Sequence, residues 1–268
     1  PPRSTPLYSS AASDVYKRQL RIRAKGYQVT LIDRCSKLGG RAQVFKRNGF
    51  TFDAGPTVIT APYLFDELFD LFDKDLNDYI QFVPVEPWYR FVYPDGDKFD
   101  YGGTLDDTLN EIEKISPSDI EGYKKLLSMS EKIFDVGYTG LADKPFHSFI
   151  TMIKQVPHLL RLRCYRSVYQ LVSKYLKHDK LRQAFTIQPL LVGGNPFDTT
   201  SIYNLIHFLE RKWGIHYAMG GTGQVVRGLQ QLMTEQGIEV RLGTTAESFH
   251  LDGRHIKGIC LAGGEVLE

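Results

Sequence analysis

Residues 28–57 read QVTLIDRCSKLGGRAQVFKRNGFTFDAGPT, and this stretch decides the fold class. It opens with a predicted strand over residues 28–32 that ends at Asp33. In a nucleotide-binding βαβ unit, an acidic residue at the end of the second strand accepts hydrogen bonds from the adenosine ribose. A solvated acidic residue at a strand end is also common, so Asp33 becomes informative only together with the residues that follow it.

Two glycine-containing turns follow Asp33 in an order that is rare by chance. The first, GGR at 39–41, lets the backbone approach a pyrophosphate closely, and its guanidinium supplies a fixed fork of donors. The second, DAGP at 53–56, ends an alternating strand and exposes main-chain N–H groups with little side-chain bulk above them. Each turn taken singly is a common loop element. The ordered set of strand, Asp33 and two turns predicts a site for a nucleotide cofactor with a flat ring.

The composition excludes several other classes of protein. The chain has 268 residues, of which 42% are apolar and 24% are charged, and its formal net charge is +2. These values are ordinary for a globular protein and argue against a disordered chain, a disulfide scaffold or binding to nucleic acid through net charge. The three cysteines fit neither a metal site nor a disulfide framework. No apolar run is long enough to cross a bilayer.

The first 19 residues differ in character from the rest of the chain. They are rich in proline and serine, contain no glycine and show neither strand nor helix periodicity. Residues 20–26 are predicted to be the last turns of a helix that ends at Gly26. The first strand and the G-x-G-x-x-G loop of a nucleotide-binding unit belong upstream of that helix, and neither is present. We therefore expect residues 1–19 to be disordered or non-native, and the nucleotide-binding unit to be incomplete.

The middle of the chain is predicted to hold helices and an aromatic hairpin. Residues 61–82 and 105–138 have helical periodicity, and residues 88–101 indicate two strands around a Pro-Asp-Gly turn. For the hairpin, core packing and a wall for an apolar substrate are equally open interpretations. Residues 190–197 (LLVGGNPF) are interpreted as a structural turn between two helices.

Residues 151–182 form a strongly basic segment. They carry eight Lys or Arg against one acidic residue, a local charge of +7 in a chain whose net charge is +2. Apolar residues interleave with these cations at helical spacing. That pattern is typical of a helix lying in a bilayer interface, and also of an ordinary amphipathic helix with a basic outer face. No nucleic-acid-binding motif accompanies it.

The chain is predicted to return to the nucleotide-binding unit after residue 219. Glycines at 220–223 precede a helix at 224–236, a position that suits either a cofactor contact or a tight turn. The strand at 237–242 would then pair in parallel with the strand at 28–32. Residues 247–268 indicate two hairpin turns, each containing glycine.

Four motifs together resemble those of the bacterial and fungal type of phytoene desaturase: GGRA at 39–42, GFTFDAGPTVIT at 49–60, LLVGGNPF at 190–197 and WGIHYAMGGTG at 213–223. This family of carotenoid-pathway flavoproteins belongs to the wider superfamily of the amine oxidases. The resemblance runs from Leu20 to the last residue. The first two motifs mark the superfamily, and the last two look particular to the carotenoid desaturases.

The resemblance implies a mixed α/β fold with a Rossmann-like FAD-binding domain, incomplete here, an inserted substrate-binding sheet and a helical membrane-facing subdomain. It assigns residues 20–80 and 223–268 to the FAD-binding domain and residues 81–222 to the substrate-binding and membrane-associated region. Because relatives continue beyond the region matched, we expect the 268 residues to be the middle of a longer enzyme. No metal site is expected. The cofactor-binding residues that the resemblance implies are Asp33, Gly39, Gly40, Arg41, Asp53, Ala54, Gly55, Pro56, Gly221 and Ala246.

The implied reaction is the FAD-dependent desaturation of phytoene, a linear C40 polyene, towards lycopene or a partly desaturated intermediate. One allylic C–H leaves as hydride to the flavin, and the neighbouring carbon loses a proton, which creates a double bond. The sequence nominates no general base, because a lone histidine is more often structural. The side chains considered for that role are His147, Lys154, His158, His207 and His216.

The resemblance also implies partners and a location. The substrate is dissolved in the membrane, so an enzyme without spanning helices would dock peripherally from the cytoplasm, here through residues 151–182. The electron acceptor is not identified by the sequence, with quinone and oxygen both open, and no nucleic acid is expected. Alternative enzymes are a C30 diapophytoene desaturase, a carotenoid ketolase or an isomerase-like relative. The alternative from another class is an inactive membrane-binding fragment.

Overall fold

The computed structural model describes residues 11–55, 57–139, 157 and 160–268, with the side chains of 11–16 and 41 left out. These residues fall into two compact units. The first, called the discontinuous unit, comprises Ser9–Val83 and Tyr217–Glu268. The second, called the central unit, lies between them in the sequence and comprises Pro84–His216.

The described part of the chain contains both α-helices and strands. The helices are α1 (Ala11–Ala24), α2 (Tyr63–Asp70), α3 (Leu105–Ile115), α4 (Ile120–Phe134), α5 (Val168–Tyr175), α6 (Asp179–Ala184), α7 (Leu205–Trp213) and α8 (Thr222–Glu235). The strands are β1 (Thr30–Asp33), β2 (Val44–Arg47), β3 (Phe50–Asp53), β4 (Phe82–Pro84), β5 (Tyr89–Val92), β6 (Lys98–Tyr101), β7 (His216–Ala218), β8 (Glu239–Leu242), β9 (Ala246–Asp252), β10 (His255–Leu261) and β11 (Val266–Leu267).

A parallel pair of strands organises the discontinuous unit. β1 and β8 pair in a register that runs from Thr30–Glu239 to Asp33–Leu242. Parallel strands need a long crossover connection, and each of these strands is preceded by a helix, α1 or α8. Leu20 of α1 and Leu232 of α8 are fully buried in the core shared by the helices and the strands. The predicted return of the chain to this sheet is therefore confirmed.

Two antiparallel elements complete the discontinuous unit. β2 and β3 form a hairpin whose turn, Asn48-Gly49, has positive φ at both residues, the geometry that suits the twist of a two-residue hairpin. β9, β10 and β11 form a three-stranded sheet in the order β11-β10-β9. Its turns contain Gly253 and the pair at 263–264, as predicted from the sequence.

Residues 11–19 differ from the expectation of a disordered segment, because they form the first turns of α1. The later residues of the same helix anchor it to the rest of the unit. Leu20 has no exposed surface, and Arg23 Nε donates a hydrogen bond to the main-chain oxygen of Gln236 at 2.7 Å. Burial of Leu20 and the bond from Arg23, rather than periodicity in the first 19 residues, stabilise this helix.

The helix predicted over residues 61–82 is shorter in the structure, where α2 ends at Asp70. Asp73 has a left-handed φ of 54°. Asp75 then accepts a hydrogen bond from Asn77 N at 2.8 Å and begins a short 3-10 helix at Leu76. Aspartate side chains compete in this way with helical hydrogen bonding, so the acidic residues end the helix.

The aromatic hairpin of the central unit is part of its core. β5 and β6 pair from Tyr89–Tyr101 to Val92–Lys98, which confirms the hairpin predicted at 88–101. Phe99 and Tyr101 are buried, and Phe185 packs against both, at ring-centroid distances of 5.6 and 5.3 Å. The observed packing therefore agrees with the core interpretation of these two aromatic residues.

The helices of the central unit pack closely around this hairpin. The helical segment predicted at 105–138 breaks at Ser116-Pro117, so that α3 and α4 are separate helices. Gly122 of α4 lies so near α5 that an ideal Cβ there would be 2.1 Å from the main-chain oxygen of Tyr175. A side chain at this position would therefore separate the two helices.

Candidate functional site

The carboxyl ends of β1 and β8 hold the first part of the candidate site. Asp33, the last residue of β1, accepts a hydrogen bond from Cys35 N through Oδ1 at 2.8 Å. Its main-chain oxygen accepts a bond from Thr244 N at 3.0 Å, and the oxygen of Cys35 accepts one from Gly243 N at 3.0 Å. These bonds fix the loop after β8 beside Asp33. In open α/β sheets, ligands bind outside this edge.

Ala246 lies just beyond that loop, as the first residue of β9. It pairs with Leu261 of β10, and Thr245 accepts a main-chain hydrogen bond from Ala262 at 2.9 Å. The loop that connects β8 to β9 is therefore held from both sides. The structure brings together two segments that carry predicted cofactor-binding residues, Asp33 and Ala246.

The GGRA turn follows β1 as a short 3-10 helix, Gly40–Ala42. Gly39 and Gly40 have φ values of 122° and 50°, and Ala42 N donates to the main-chain oxygen of Gly39 at 2.7 Å. Leu38 and Ala42 are buried in the core of the discontinuous unit, so they anchor the turn from both sides. Arg41 lies in this turn, and its side chain is outside the described residues.

Asp53 and Gly221 form the third part of the candidate site. Asp53 ends β3, and the adjacent Ala54 donates its N–H to the main-chain oxygen of Gln43 at 2.9 Å. Gly221, directly before α8, has φ 82° and ψ −179°, a conformation that is almost exclusive to glycine. An ideal Cβ on Gly221 would lie 2.4 Å from Asp53 Oδ2. The Asp53 carboxylate therefore lies against main-chain atoms with no side chain between them. Gly55 follows Asp53 by two residues, and Pro56 is outside the described residues.

The residues at the strand edge fit the adenosine end of FAD. Asp33 Oδ2 accepts no hydrogen bond from the described part of the chain, so it can accept bonds from ribose hydroxyls. The 243–246 loop lies beside it, since Thr244 N donates to the main-chain oxygen of Asp33. Gly39 and Gly40 are the described residues of the GGRA turn that the sequence predicts to approach the pyrophosphate.

A second polar cluster, which the sequence reasoning missed, is buried in the central unit. Glu210 of α7 is fully buried, and its Oε1 accepts a hydrogen bond from Tyr89 Oη at 2.9 Å. Burial raises the pKa of Glu210 to about 8, so its carboxyl is mainly protonated at neutral pH. A signal was present in the sequence, because Glu210 shares the helical spacing of the apolar residues Ile206, Leu209 and Trp213.

His207, one of the side chains considered as a general base, belongs to the same buried cluster. Its Nδ1 lies 3.1 Å from Tyr101 Oη, and its ring stacks on the Tyr101 ring at a centroid distance of 5.5 Å. Burial lowers the pKa of His207 to about 3, so the imidazole is neutral and weakly basic. This environment is that of a core histidine.

The other candidates for a base gain no support. His147, Lys154 and His158 lie outside the described residues, and His216 is a half-buried residue at the start of β7. Across the ranges that the structure describes, no three His, Cys, Asp or Glu side chains are grouped so as to hold a metal ion. Within the same ranges, no helix has both the length and the apolar character needed to cross a bilayer.

The sequence of residues 18–268 matches the family described as flavin containing amine oxidoreductase. This chain belongs to that family. The predicted flavoprotein superfamily and the predicted cofactor, FAD, are thereby confirmed. The match covers both the discontinuous and the central unit.

Two curated relatives are lycopene-forming phytoene desaturases. The chain is 41% identical over 249 residues to the enzyme of Pseudescherichia vulneris and 43% identical over 245 residues to that of Pantoea ananas. The alignments cover 93% and 91% of this chain but only 51% and 50% of those proteins. The chain thus spans about half the length of the curated relatives it matches.

The fold has a counterpart among solved structures. An oxidoreductase from Methanosarcina mazei aligns with a TM-score of 0.61 at 13% sequence identity. That alignment covers 94% of this chain and 54% of the other. At this level of identity the likeness supports the fold alone.

Proposed function

We propose that this chain is part of an FAD-dependent phytoene desaturase, which removes hydrogen from a linear C40 polyene and so extends its conjugation. The observation that carries the proposal is the hydrogen bond between the Asp33 main-chain oxygen and Thr244, which joins the two strand ends into one cofactor-binding edge. Membership of a flavin-containing family and 41–43% identity to enzymes of this name support the same reaction.

In this proposal the discontinuous unit is the incomplete Rossmann-like, FAD-binding part. Asp33 accepts hydrogen bonds from ribose hydroxyls, and the backbone at Ala246 contacts adenine. The turn at 39–41 presents main-chain N–H groups to the pyrophosphate, and residues 53–55 with Gly221 present bare backbone to the ring system. FAD, when bound, supplies the acceptor for the hydrogen removed from the substrate.

The central unit would hold the substrate-binding sheet and the helical subdomain. Phytoene has no polar group, so its binding site should be mainly apolar and uncharged. The aromatic hairpin β5–β6 supplies apolar surface. Because burial holds Glu210 mainly protonated and His207 neutral, the interior behind that hairpin carries little charge at neutral pH. No residue is assigned as the general base.

Peripheral attachment to the cytoplasmic face of a membrane, through residues 151–182, completes the proposal. Arg161 and Arg163 are exposed members of this basic segment, and such cations attract anionic headgroups. Reversing both to glutamate should abolish sedimentation of the chain with anionic vesicles. Unchanged sedimentation would argue against attachment through this segment.

Cofactor binding is tested by titrating the chain with FAD and following the quenching of flavin fluorescence. Binding that is weakened in Asp33→Ala and retained in Asp252→Ala, an exposed acidic residue of β9, would support the assigned edge. A chain that binds no FAD would contradict it. Substrate identity is tested separately, by incubating flavin-loaded protein with phytoene in liposomes and separating the products. A flavin-loaded sample that forms no desaturated product would refute the reaction.

A further inference from the structure

Six large apolar or aromatic side chains of the central unit are exposed in two stretches of the chain. Leu190 and Tyr165 expose 69% and 68% of their surface, values usual for charged residues. Single exposed apolar residues are common, whereas a connected set marks an interaction surface. The six side chains, called the apolar ledge below, are Leu160, Tyr165, Leu190, Leu191, Val192 and Phe197.

Main-chain hydrogen bonds hold the two stretches next to each other. Val168 N donates to the oxygen of Thr199, and Tyr169 N donates to the oxygen of Pro196, each at 2.9 Å. The rings of Tyr169 and Phe197 also pack, with their centroids 4.6 Å apart. The segment that carries Tyr165 is therefore fixed beside the turn that carries the leucines.

Buried residues and a hydrogen bond fix the turn at 188–194, so that its apolar side chains stay exposed. Gln188 and Pro189 begin a 3-10 helix, Gln188–Val192, and both are buried, whereas the next three residues are exposed. Gly194 N donates to the oxygen of Pro189 at 2.8 Å, which closes the turn. The exposure of Leu190, Leu191 and Val192 is thus built into a hydrogen-bonded structure.

Arginines border the apolar ledge. Arg161 and Arg163 are exposed and Arg166 is half-buried, in the same segment as Tyr165. Apolar surface next to cations matches the boundary between acyl chains and anionic headgroups, where an amphipathic tyrosine is also favoured. We infer that the apolar ledge inserts into the surface of an anionic lipid bilayer while the neighbouring arginines contact lipid phosphates. This inference rests on the proposed membrane association and adds residues 190–197 to its contact surface.

A tryptophan probe tests the inserted position directly. Leu190→Trp is compared with Val92→Trp, a matched probe at a 65% exposed position of β5 in the same unit, after subtraction of the signal from Trp88 and Trp213. The vesicles contain phosphatidylcholine and phosphatidylglycerol in equal parts. We expect a blue shift, and quenching by lipids with brominated acyl chains, for Leu190→Trp but not for Val92→Trp. Equal responses from the two probes would overturn the inference.

Vesicle sedimentation of the 268-residue chain supplies the second measurement. Leu190→Ser combined with Leu191→Ser should lower vesicle partitioning about tenfold, and Val92→Ser should leave it unchanged. A wild-type chain that binds no anionic vesicles would overturn both this inference and the proposed membrane association. Undiminished binding of the double variant, without a response from Leu190→Trp, would overturn the apolar ledge alone.

A second copy of the chain is the competing occupant. If light scattering shows a wild-type dimer that the double serine variant abolishes, and neither protein binds vesicles, the apolar ledge is a protein interface and the inference fails. Because all six side chains are exposed, the serine variants should fold. The tryptophan probe decides the question independently if one of them does not.

Discussion

Replacing Gly221 by alanine tests the close approach that joins β3 to the start of α8. Gly221 has φ 82° and ψ −179°, and an added Cβ would lie 2.4 Å from Asp53 Oδ2 and 2.9 Å from Oδ1. Alanine at this position would meet two separate costs. One is the backbone conformation, and the other is steric overlap with the carboxylate.

The size of each cost follows from the geometry. A residue other than glycine in this region of φ and ψ lowers the free energy of unfolding by about 1–3 kcal/mol. Overlap that must be relieved by moving neighbouring groups loses a further ~1–3 kcal/mol. Gly221→Ala should therefore lower the free energy of unfolding by about 1–6 kcal/mol, since the two costs add and the smaller entropy of the unfolded alanine chain returns up to ~1 kcal/mol.

Gly220→Ala is the control in the same turn. Gly220 also has φ 82°, but its nearest neighbouring atom, Gln224 Cβ, would be 3.7 Å from the added Cβ, an ordinary van der Waals distance. Urea unfolding, followed by circular dichroism and extrapolated to water, gives the free energy of each variant. We expect Gly221→Ala to be the more destabilising by about 1–3 kcal/mol.

A double-mutant cycle with Asp53→Ala separates the two costs. Removing the carboxylate should restore the part of the loss that comes from overlap, leaving only the backbone cost. The reasoning would be refuted if Gly221→Ala and Gly220→Ala were equally destabilising and the cycle showed no coupling. In that case the contact between Asp53 and Gly221 would not constrain the candidate site.

Three further predictions follow from the described contacts. Asp33→Ala should weaken FAD binding about tenfold or more, since a hydrogen bond to a charged group contributes ~1.5–3 kcal/mol; flavin fluorescence titration measures the change, and equal affinity would contradict the assignment. The pKa of Glu210 rises from its ordinary value of 4.5 to about 8 in the folded chain. The contribution of Glu210 to the free energy of unfolding is therefore fully present below pH 4.5 and is lost as pH rises through about 8. Unfolding free energies from pH 5 to 8 should therefore fall by roughly 3 kcal/mol in the wild type and stay flatter in Glu210→Gln, and parallel curves would contradict this. Gly122→Ala should destabilise by about 1–3 kcal/mol in spite of the better helix propensity of alanine, and a stabilised variant in urea unfolding would show that α4 and α5 separate at little cost.

Local patterns predicted the elements that depend on neighbouring residues. The strand that ends at Asp33 and the hairpin at 88–101 both follow from side chains within a few positions. The helix predicted over 61–82 was wrong beyond Asp70, because the periodicity of its apolar residues does not report the backbone conformation of Asp73. The helix at residues 11–19 was missed, since Leu20, a buried residue of that helix, lies beyond them.

The sequence by itself determined the family of this protein and the residues that are candidates for the cofactor. Short motifs carry that information, because glycine turns and strand-end acids make their chemistry locally. Tertiary structure alone decided which candidates meet: Asp33 with the loop at Thr244, and Asp53 with Gly221. It also decided that Glu210 and His207 are buried, which sets their protonation. The physical reason is that hydrogen bonding between distant segments and loss of solvation depend on the packed chain, and neither is a property of sequence neighbours.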